Sequence, residues 1–218
     1  MPVEVAALNY WPNAETFFKK AAQGNLIPVF RELTADLETP VSVFLKLCHT
    51  APSFLLESVE GGEQVGRYSF IGTNPYLTLH ALGSEAIIRE RGGVKKKALS
   101  QGPGGTDPLH VIKELMSQYQ VVRMPGLPRF FGGAVGYLAY DSARYFERLP
   151  TPERDELGLP DAIFLFTDTL VVFDHVQRRM KVVSNAIIDN NPILAYGEAQ
   201  ERIERIISAL AQPLPNPT

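Results

Sequence analysis

Cysteine is nearly absent from this sequence, with Cys48 as the single example among 218 residues. One cysteine excludes an internal disulfide and any metal site that needs several thiolates. A chain without disulfides is typical of a reducing compartment, so we expect a cytoplasmic protein. Cys48 lies at helical spacing from Phe44 and Leu45, and we therefore predict that its thiol faces the core and is not a reactive group.

Long runs of basic residues and long runs of apolar residues are missing as well. No basic run is longer than Lys95–Lys97 and the formal net charge is −3, so nucleic acid is not an expected partner. No apolar stretch approaches the roughly 18 residues that a membrane helix needs. The amino terminus also lacks the basic segment and apolar core of a signal peptide. We therefore expect neither a nucleic acid nor a membrane as a partner.

The composition that remains is that of an ordinary globular protein, with 45% hydrophobic and 21% charged residues. The patterns indicate about nine strands and four or five helices. Runs of strands separated by single helices predict an α+β fold with mainly antiparallel sheets flanked by helices. No change in composition divides the chain, so we predict one domain over residues 1–211 and a proline-rich, linker-like tail over residues 212–218.

Helix starts have a common signal in this chain. A small polar residue that can cap the first turn precedes four segments with helical spacing, and in three of them proline follows it. The first helix is predicted over Glu15–Gln23. The four cap residues are Asn13, Thr39, Asp107 and Asn191.

One predicted hairpin carries polar residues among its apolar ones. Its arms, Phe54–Val59 and Tyr68–Ile71, are separated by a glycine-containing turn, which predicts a β-hairpin with a long loop. On a hairpin such polar side chains can face one another across the strands. They could bind a small zwitterion with an apolar body. Alternatively, the charged residues could form a salt bridge with each other, and the others could be ordinary polar residues near a turn. The polar residues are Glu57, Ser58, Arg67 and Ser69.

A glycine-containing segment, Arg129–Tyr140, is also predicted as a strand, although it includes Gly132, Gly133 and Gly136. Glycine weakens a strand unless the strand bends or another part of the protein approaches closely. A phosphate-binding loop would be followed by Gly-Lys-Ser/Thr and a helix, and neither occurs here. We therefore predict close packing at these glycines.

Three blocks of sequence resemble the amino-terminal region of anthranilate synthase component I, the chorismate-using subunit of the first committed step of tryptophan biosynthesis. The blocks are DLETPV at residues 36–41, FLLESVE at 54–60 with GRYSFIG at 66–72, and FGGAVGYLAYD at 131–141 with RYFE at 144–147. Three blocks in the family's order are a more specific match than one short motif. The resemblance extends over roughly residues 28–210.

The resemblance implies that residues 1–211 form the amino-terminal domain of a layered structure of antiparallel sheets and helices. In the family this region binds the feedback inhibitor L-tryptophan together with the other half of the subunit. The matching effector residues in this chain are Glu57, Ser58 and Arg67. The resemblance places the serine near the ammonium group of tryptophan, and Arg67 stands where some relatives have lysine.

The resemblance also implies that catalysis lies elsewhere. Anthranilate synthase converts chorismate and glutamine or ammonia to anthranilate and pyruvate, using Mg²⁺ held by carboxylates and a general base. In the family these groups lie in a carboxy-terminal chorismate-binding half, whose motifs do not occur in this sequence. We therefore expect no catalytic residue, no metal ligand and no cofactor in this chain. The expected partners are that half, a glutamine amidotransferase subunit and L-tryptophan.

Two other functions remain open at this point. The chain could be a free-standing amino-acid-binding regulatory module, or it could be the equivalent part of aminodeoxychorismate synthase in folate synthesis. Members of the folate enzyme tend to lack a glutamate before the serine, so Glu57 followed by Ser58 favours the tryptophan pathway.

Overall fold

The computed structural model of the chain describes residues 9–48, 52–57, 66–90, 92–150 and 158–215. The α+β class predicted from the sequence is confirmed within these ranges. The helices are α1 (Ala14–Lys20), α2 (Pro40–Leu47), α3 (Pro108–Ser117) and α4 (Pro192–Leu210), with a 3₁₀-helix at Tyr140–Tyr145. The strands are β1 (Leu26–Thr34), β2 (Phe54–Leu56), β3 (Tyr68–Gly72), β4 (Leu77–Leu82), β5 (Glu85–Glu90), β6 (Gly93–Ala98), β7 (Gly133–Leu138), β8 (Ala162–Thr167), β9 (Thr169–Asp174) and β10 (Arg179–Ile187).

The chain gathers into two compact units and passes between them four times. The first unit comprises Met1–Thr73, Tyr119–Phe131 and Asp168–Thr218, and the second comprises Asn74–Gln118 and Gly132–Thr167. Because the units alternate along the chain, no linker-like composition separates them. The division into two compact units does not test the predicted domain over residues 1–211, which therefore stays a prediction.

The sheet of the first unit has the strand order β1-β10-β9-β3-β2, and its neighbouring strands are antiparallel. The central strands β9 and β10 are buried over nearly their whole length. A strand that is covered on both faces needs apolar residues at successive positions, as in Leu170, Val171 and Val172. Val171 packs in a cluster with helices α1, α2 and α4, while its two neighbours pack in a second cluster with Phe130 and Phe131.

The sheet of the second unit has the order β6-β5-β4-β8-β7 and is also antiparallel. Strand β4 alternates between buried and more exposed residues, which is typical of a sheet covered on one face. Val111 of α3 and Tyr145 of the 3₁₀-helix belong to the buried cluster on that face. The hydroxyl oxygen of Tyr145 lies 2.7 Å from the carbonyl oxygen of Gly83 and 2.8 Å from a carboxylate oxygen of Asp161, and its single proton is shared between these two acceptors.

The predicted helix caps are confirmed. The end of the first helix differs, because α1 stops at Lys20 and not at Gln23. There the chain tightens into a turn in which the N–H of Gln23 donates to the carbonyl of Lys20 at 2.8 Å. In α1, α2, α3 and α4 respectively, a backbone N–H of the first turn donates to the side chain of Asn13, Thr39, Asp107 and Asn191.

The strand predicted over Arg129–Tyr140 was wrong in its first part, since β7 has only six residues. Gly132 and Gly133 have φ values of +148° and +117°, which a regular strand does not adopt. The preceding Phe130 and Phe131 pack against the core of the first unit. The chain leaves one unit and enters the other at this point.

Candidate functional site

The stem of the predicted hairpin is confirmed by the pairing of β2 with β3. It forms one edge of the first unit's sheet. Strand β2 pairs with β3, with Phe54 opposite Gly72. Gly72 permits this approach, because an added Cβ would lie 2.2 Å from Cε1 of the Phe54 ring. Strand β3 pairs in turn with β9, which places Tyr68 opposite Asp174. The start of β3 therefore meets the turn between β9 and β10, which is distant in sequence.

Of the predicted effector residues, Glu57 is exposed just beyond β2, and Ser58 lies outside the described residues. Ser69 on the facing strand donates a hydrogen bond of 3.4 Å to Oε1 of Glu57. Ser69 is 2% exposed, and its hydroxyl lies 2.7 Å from Nε2 of His175. The structure therefore brings Glu57 and Ser69 together across the hairpin, and it adds His175 to them.

Arg67 binds Asp174, a partner that the sequence patterns do not indicate. Its Nη2 donates to Oδ2 of Asp174 at 2.7 Å, and its Nε donates to the two carboxylate oxygens at 3.1 and 3.2 Å. The guanidinium also lies over the ring of Tyr68, 5.0 Å from the centroid. The structure thus pairs Arg67 with Asp174 and not with Glu57, and the place of Arg67 in an effector site stays a prediction.

Asp174 and His175 form the corner that faces the hairpin. Oδ1 of Asp174 accepts hydrogen bonds from the backbone N–H groups of Val176 and Gln177 at 3.2 and 3.1 Å. The His175 ring stacks beside Phe173, with ring centroids 6.2 Å apart and planes 19° from parallel. Sequence reasoning missed the link to the hairpin, because it arises from the pairing of β3 with β9 and leaves no local signal.

A cleft of about 350 Å³ opens at this corner. We call it the turn cleft, because the loop between β1 and α2 lines one wall and the turn between β9 and β10 lines the other. Its size falls at the lower end of the range for small-molecule sites. The loop wall carries Asp36, Glu38 and Pro40, and the turn wall carries Phe173, His175 and Arg178.

Among the described residues, no group of three or more His, Cys, Asp and Glu side chains could hold a metal ion. The Mg²⁺ that the resemblance implies therefore has no ligand set in the part of the chain that the structure describes. In the same ranges, no helix has both the length and the apolar character to cross a bilayer.

Cys48 packs against the core of the first unit, which confirms its predicted orientation. Burial raises the pKa of its thiol, and hydrogen bonds with Ser53 and Thr73 only partly oppose this effect. A raised pKa keeps the sulfur protonated and poorly nucleophilic at neutral pH.

The contact with Arg67 favours the ionised form of Asp174. Burial acts to raise the pKa of Asp174, but hydrogen bonds from Arg67 and from the backbone N–H groups of Gln177 and Val176 lower it overall. The same hydrogen bond raises the pKa of Arg67. The fold therefore favours the charged forms of both partners.

We expect acid to remove the contribution of this pair to stability. An aspartate titrates near pH 3.9 in an unfolded chain, and Asp174 titrates lower when folded, so its contribution is present above about pH 4 and is lost as the pH falls further. An Asp174→Asn variant should lose less stability than the wild type between about pH 6 and pH 3. Urea unfolding midpoints measure this difference. The control is the exposed Asp189→Asn, which should follow the wild type, and equal losses for Asp174→Asn and wild type would contradict the prediction.

A family model and individual relatives give the same result when the chain is compared with known proteins. A family model described as chorismate binding enzyme matches residues 51–218. Anthranilate synthase component 1 of Acetivibrio thermocellus is 40% identical over 197 residues, which cover 90% of this chain and 39% of the relative. The same component of Pseudomonas aeruginosa is 40% identical over 205 residues, which cover 93% of this chain and 40% of the relative. The chain thus spans about two fifths of the length of these relatives.

A solved structure shares the fold. Anthranilate synthase component I from Streptococcus pneumoniae superposes with a TM-score of 0.53 at 22% sequence identity, and the match covers 84% of this chain and 37% of that one.

Proposed function

This chain belongs to the family of chorismate-binding enzymes, and we propose that it is the amino-terminal, tryptophan-sensing part of an anthranilate synthase component I. The observation that carries the proposal is the 40% identity to a component 1 protein over 90% of the chain. The glutamate before Ser58 favours this component over the related enzyme of folate synthesis.

In this proposal the complete enzyme works in the cytoplasm and converts chorismate and glutamine or ammonia to anthranilate and pyruvate. A carboxy-terminal chorismate-binding half supplies the base and the Mg²⁺ ligands, and a glutamine amidotransferase subunit supplies ammonia. The contribution of this chain is to bind L-tryptophan and to pass the effect of binding to its partners. By itself the chain would form no anthranilate.

The hairpin geometry supports a sensing role. Glu57 is exposed at the end of β2, where a ligand can reach it, while Ser69 behind it is buried. The hydroxyl of Ser69 contacts both Glu57 and His175, so the hairpin and the β9–β10 turn form one connected polar group. A ligand that binds beside Glu57 would therefore act on two parts of the sheet at once.

We predict that Ser58→Ala makes the assembled enzyme less sensitive to tryptophan. The hydroxyl of Ser58 would accept a hydrogen bond from the ammonium group of the inhibitor. Loss of one charge-assisted hydrogen bond should weaken inhibition roughly tenfold to a hundredfold. Uninhibited turnover should change little, because the proposal places catalysis in the other half. The measurement is an inhibition curve by L-tryptophan at fixed chorismate, ammonia and Mg²⁺, with this chain joined to the remaining part of a relative's component I.

The matched control is Ser208→Ala, which removes the hydroxyl of an exposed serine on α4 and should leave the curve unchanged. Superimposable curves for Ser58→Ala and the wild type would show that the hydroxyl does not bind the inhibitor. An assembled enzyme that tryptophan does not inhibit at all would refute the sensing role itself.

A further inference from the structure

Ser69 is buried between two groups that compete for its single hydroxyl proton. Its hydroxyl oxygen lies 2.7 Å from Nε2 of His175 and 3.4 Å from Oε1 of Glu57. An ionised carboxylate only accepts hydrogen bonds, whereas an imidazole nitrogen donates when it carries a proton and accepts when it does not. Ser69 can therefore donate to Glu57 only while Nε2 of His175 carries a proton and donates to Ser69.

The fold fixes the His175 ring beside this hydroxyl. Ser69 lies opposite Phe173 in the pairing of β3 with β9, and the His175 ring stacks beside Phe173. The backbone N–H of His175 also donates to the carbonyl of Arg67 at 2.9 Å. These contacts require no charge on the ring, so the ring stays beside Ser69 in both of its protonation states.

The two distances from Ser69 show which group receives its proton first. The 2.7 Å to His175 is shorter than the distance of about 2.9–3.0 Å that is usual for a neutral N–H donor, but it is usual for a hydroxyl donor or a charged N–H donor. The 3.4 Å to Glu57 is longer than the distance of about 2.5–3.0 Å that is usual for a hydroxyl donor. His175 is therefore the closer partner, and Glu57 gains the hydroxyl proton only when the ring nitrogen is itself a donor.

Other ionisable groups surround the His175 ring, and several of them are already paired. Asp174 is bound by Arg67, and Glu38 forms an ion pair with Lys46. Among the described residues, the ionisable groups from the ring's own turn, from the loop between β1 and α2 and from the hairpin are Asp174, Arg178, Asp36, Glu38, Glu57 and Arg67. Asp36 and Arg178 lie on the two walls of the turn cleft, and their opposite charges act against each other at the ring. Glu57 differs from these groups because a hydrogen-bonded hydroxyl connects it to the ring.

We propose that His175 is a proton-operated latch that holds the end of β2 against β3. When the ring takes up a proton, its Nε2–H donates to Ser69, and the hydroxyl of Ser69 turns to donate to Glu57. When the ring loses that proton to water, the hydroxyl turns back to donate to the bare Nε2 and Glu57 is released. No covalent bond other than the N–H bond of the ring forms or breaks. Histidine is the side chain whose charge normally changes between about pH 5 and pH 8, so a change of pH in this interval would move the end of the hairpin without a ligand.

The test is a pH titration of the imidazole signals of the 218-residue chain by NMR, with no ligand present. In about 1 M salt the Debye length is about 3 Å, which suppresses direct attraction between exposed charges. The chain has four histidines, and the signal that disappears in His175→Gln belongs to His175. Glu57→Ala should lower the affinity of His175 for a proton roughly twofold to tenfold, because the protonated ring loses the acceptor at the end of the relay. Glu201→Ala makes the same change at an exposed position of α4 in the same unit and should leave this affinity unchanged.

A Ser69→Ala background distinguishes a relay through the hydroxyl from a direct interaction of Glu57 with the ring. Without the hydroxyl, Glu57→Ala should have little further effect on the proton affinity of His175. Equal effects of Glu57→Ala with and without the Ser69 hydroxyl would show that Glu57 acts on the ring directly. No effect in either background would show that the two groups are not coupled. Both of these outcomes refute the latch.

The nitrogen spectrum of the neutral ring gives a second decision on the unaltered chain, and it holds even if Ser69→Ala does not fold. At a pH where His175 is neutral, the Nε2 resonance should be that of a nitrogen without a proton, because this nitrogen accepts from Ser69. A proton on Nε2 of the neutral ring would let Ser69 donate to Glu57 at every pH, and the proposal would then be wrong.

Discussion

A Gly136→Ala variant should be strongly destabilised, although the change adds only one methyl group. Gly136 lies opposite Phe164 in the pairing of β7 with β8. A Cβ at this position would lie 1.8 Å from the carbonyl oxygen of Ile163 and 2.7 Å from Cα of Phe164. Both atoms belong to the backbone of the neighbouring strand, so no side-chain rotation can relieve the overlap. Strand β7 would have to move and lose hydrogen bonds to β8, at an expected loss of about 3–4 kcal/mol in the free energy of unfolding.

Urea unfolding measures this loss directly. Gly92→Ala is the matched control, because it adds the same methyl group in the same unit where no atom lies within 4 Å. It should change stability by no more than about 0.5 kcal/mol, as is usual for surface substitutions. A Gly136→Ala variant as stable as Gly92→Ala would show that β7 can shift away from β8 without loss.

The sequence indicated close packing at the glycines of this segment but not the atoms involved. Three glycines in a strand pattern signal a close approach or a bend, and both occur: the bend at Gly132 and Gly133, and the approach at Gly136. The approaching backbone belongs to β8, more than twenty residues further along the chain. Because the two strands are far apart in sequence, no local pattern identifies β8 as the partner of β7. A close contact at these glycines could therefore be predicted, but not the residues that make it.

The helix caps show the opposite situation, because they depend only on neighbours in sequence. Thr39 and Ser42 form a complete capping box, with each side chain bound to the backbone N–H of the other. A polar residue followed by proline specifies such a start almost alone. The start of α2 on the loop wall of the turn cleft could therefore be predicted.

The candidate site likewise contains one contact that local sequence patterns predict and one that depends on a strand distant in sequence. The contact between Glu57 and Ser69 follows from the hairpin, which local turn and strand patterns predict. The partner of Arg67 depends on which strand lies on the other side of β3, and that is decided by the burial of β9 in the centre of the sheet. The pairing of Asp174 with Arg67 therefore could not be predicted from the sequence.

An Arg202→Met variant should also lose substantial stability, for an electrostatic reason. Arg202 projects from α4 with its side chain 12% exposed, and its Nε lies 3.7 Å from Oδ2 of Asp168, whose side chain is 8% exposed. The guanidinium also donates to Oγ of Ser184 at 2.8 Å and to the carbonyl of Asn185 at 3.2 Å. Methionine can fill the space of the aliphatic stem but cannot donate to any of these oxygens. The buried Asp168 would lose the cation beside it, and removal of one partner of a buried ion pair typically costs about 3–5 kcal/mol.

A second substitution separates this electrostatic effect from a loss of packing. Asp168→Asn replaces the carboxylate by a neutral amide, which is less costly to bury beside methionine. The Arg202→Met, Asp168→Asn double variant should therefore be more stable than Arg202→Met alone, as measured by urea unfolding midpoints. Arg205→Met, at an exposed position of the same helix, serves as the control and should shift stability by less than about 0.5 kcal/mol. If the double variant is no more stable than the single one, the role of Arg202 is to fill space and donate hydrogen bonds to Ser184 and Asn185, and the ion pair with Asp168 adds nothing measurable.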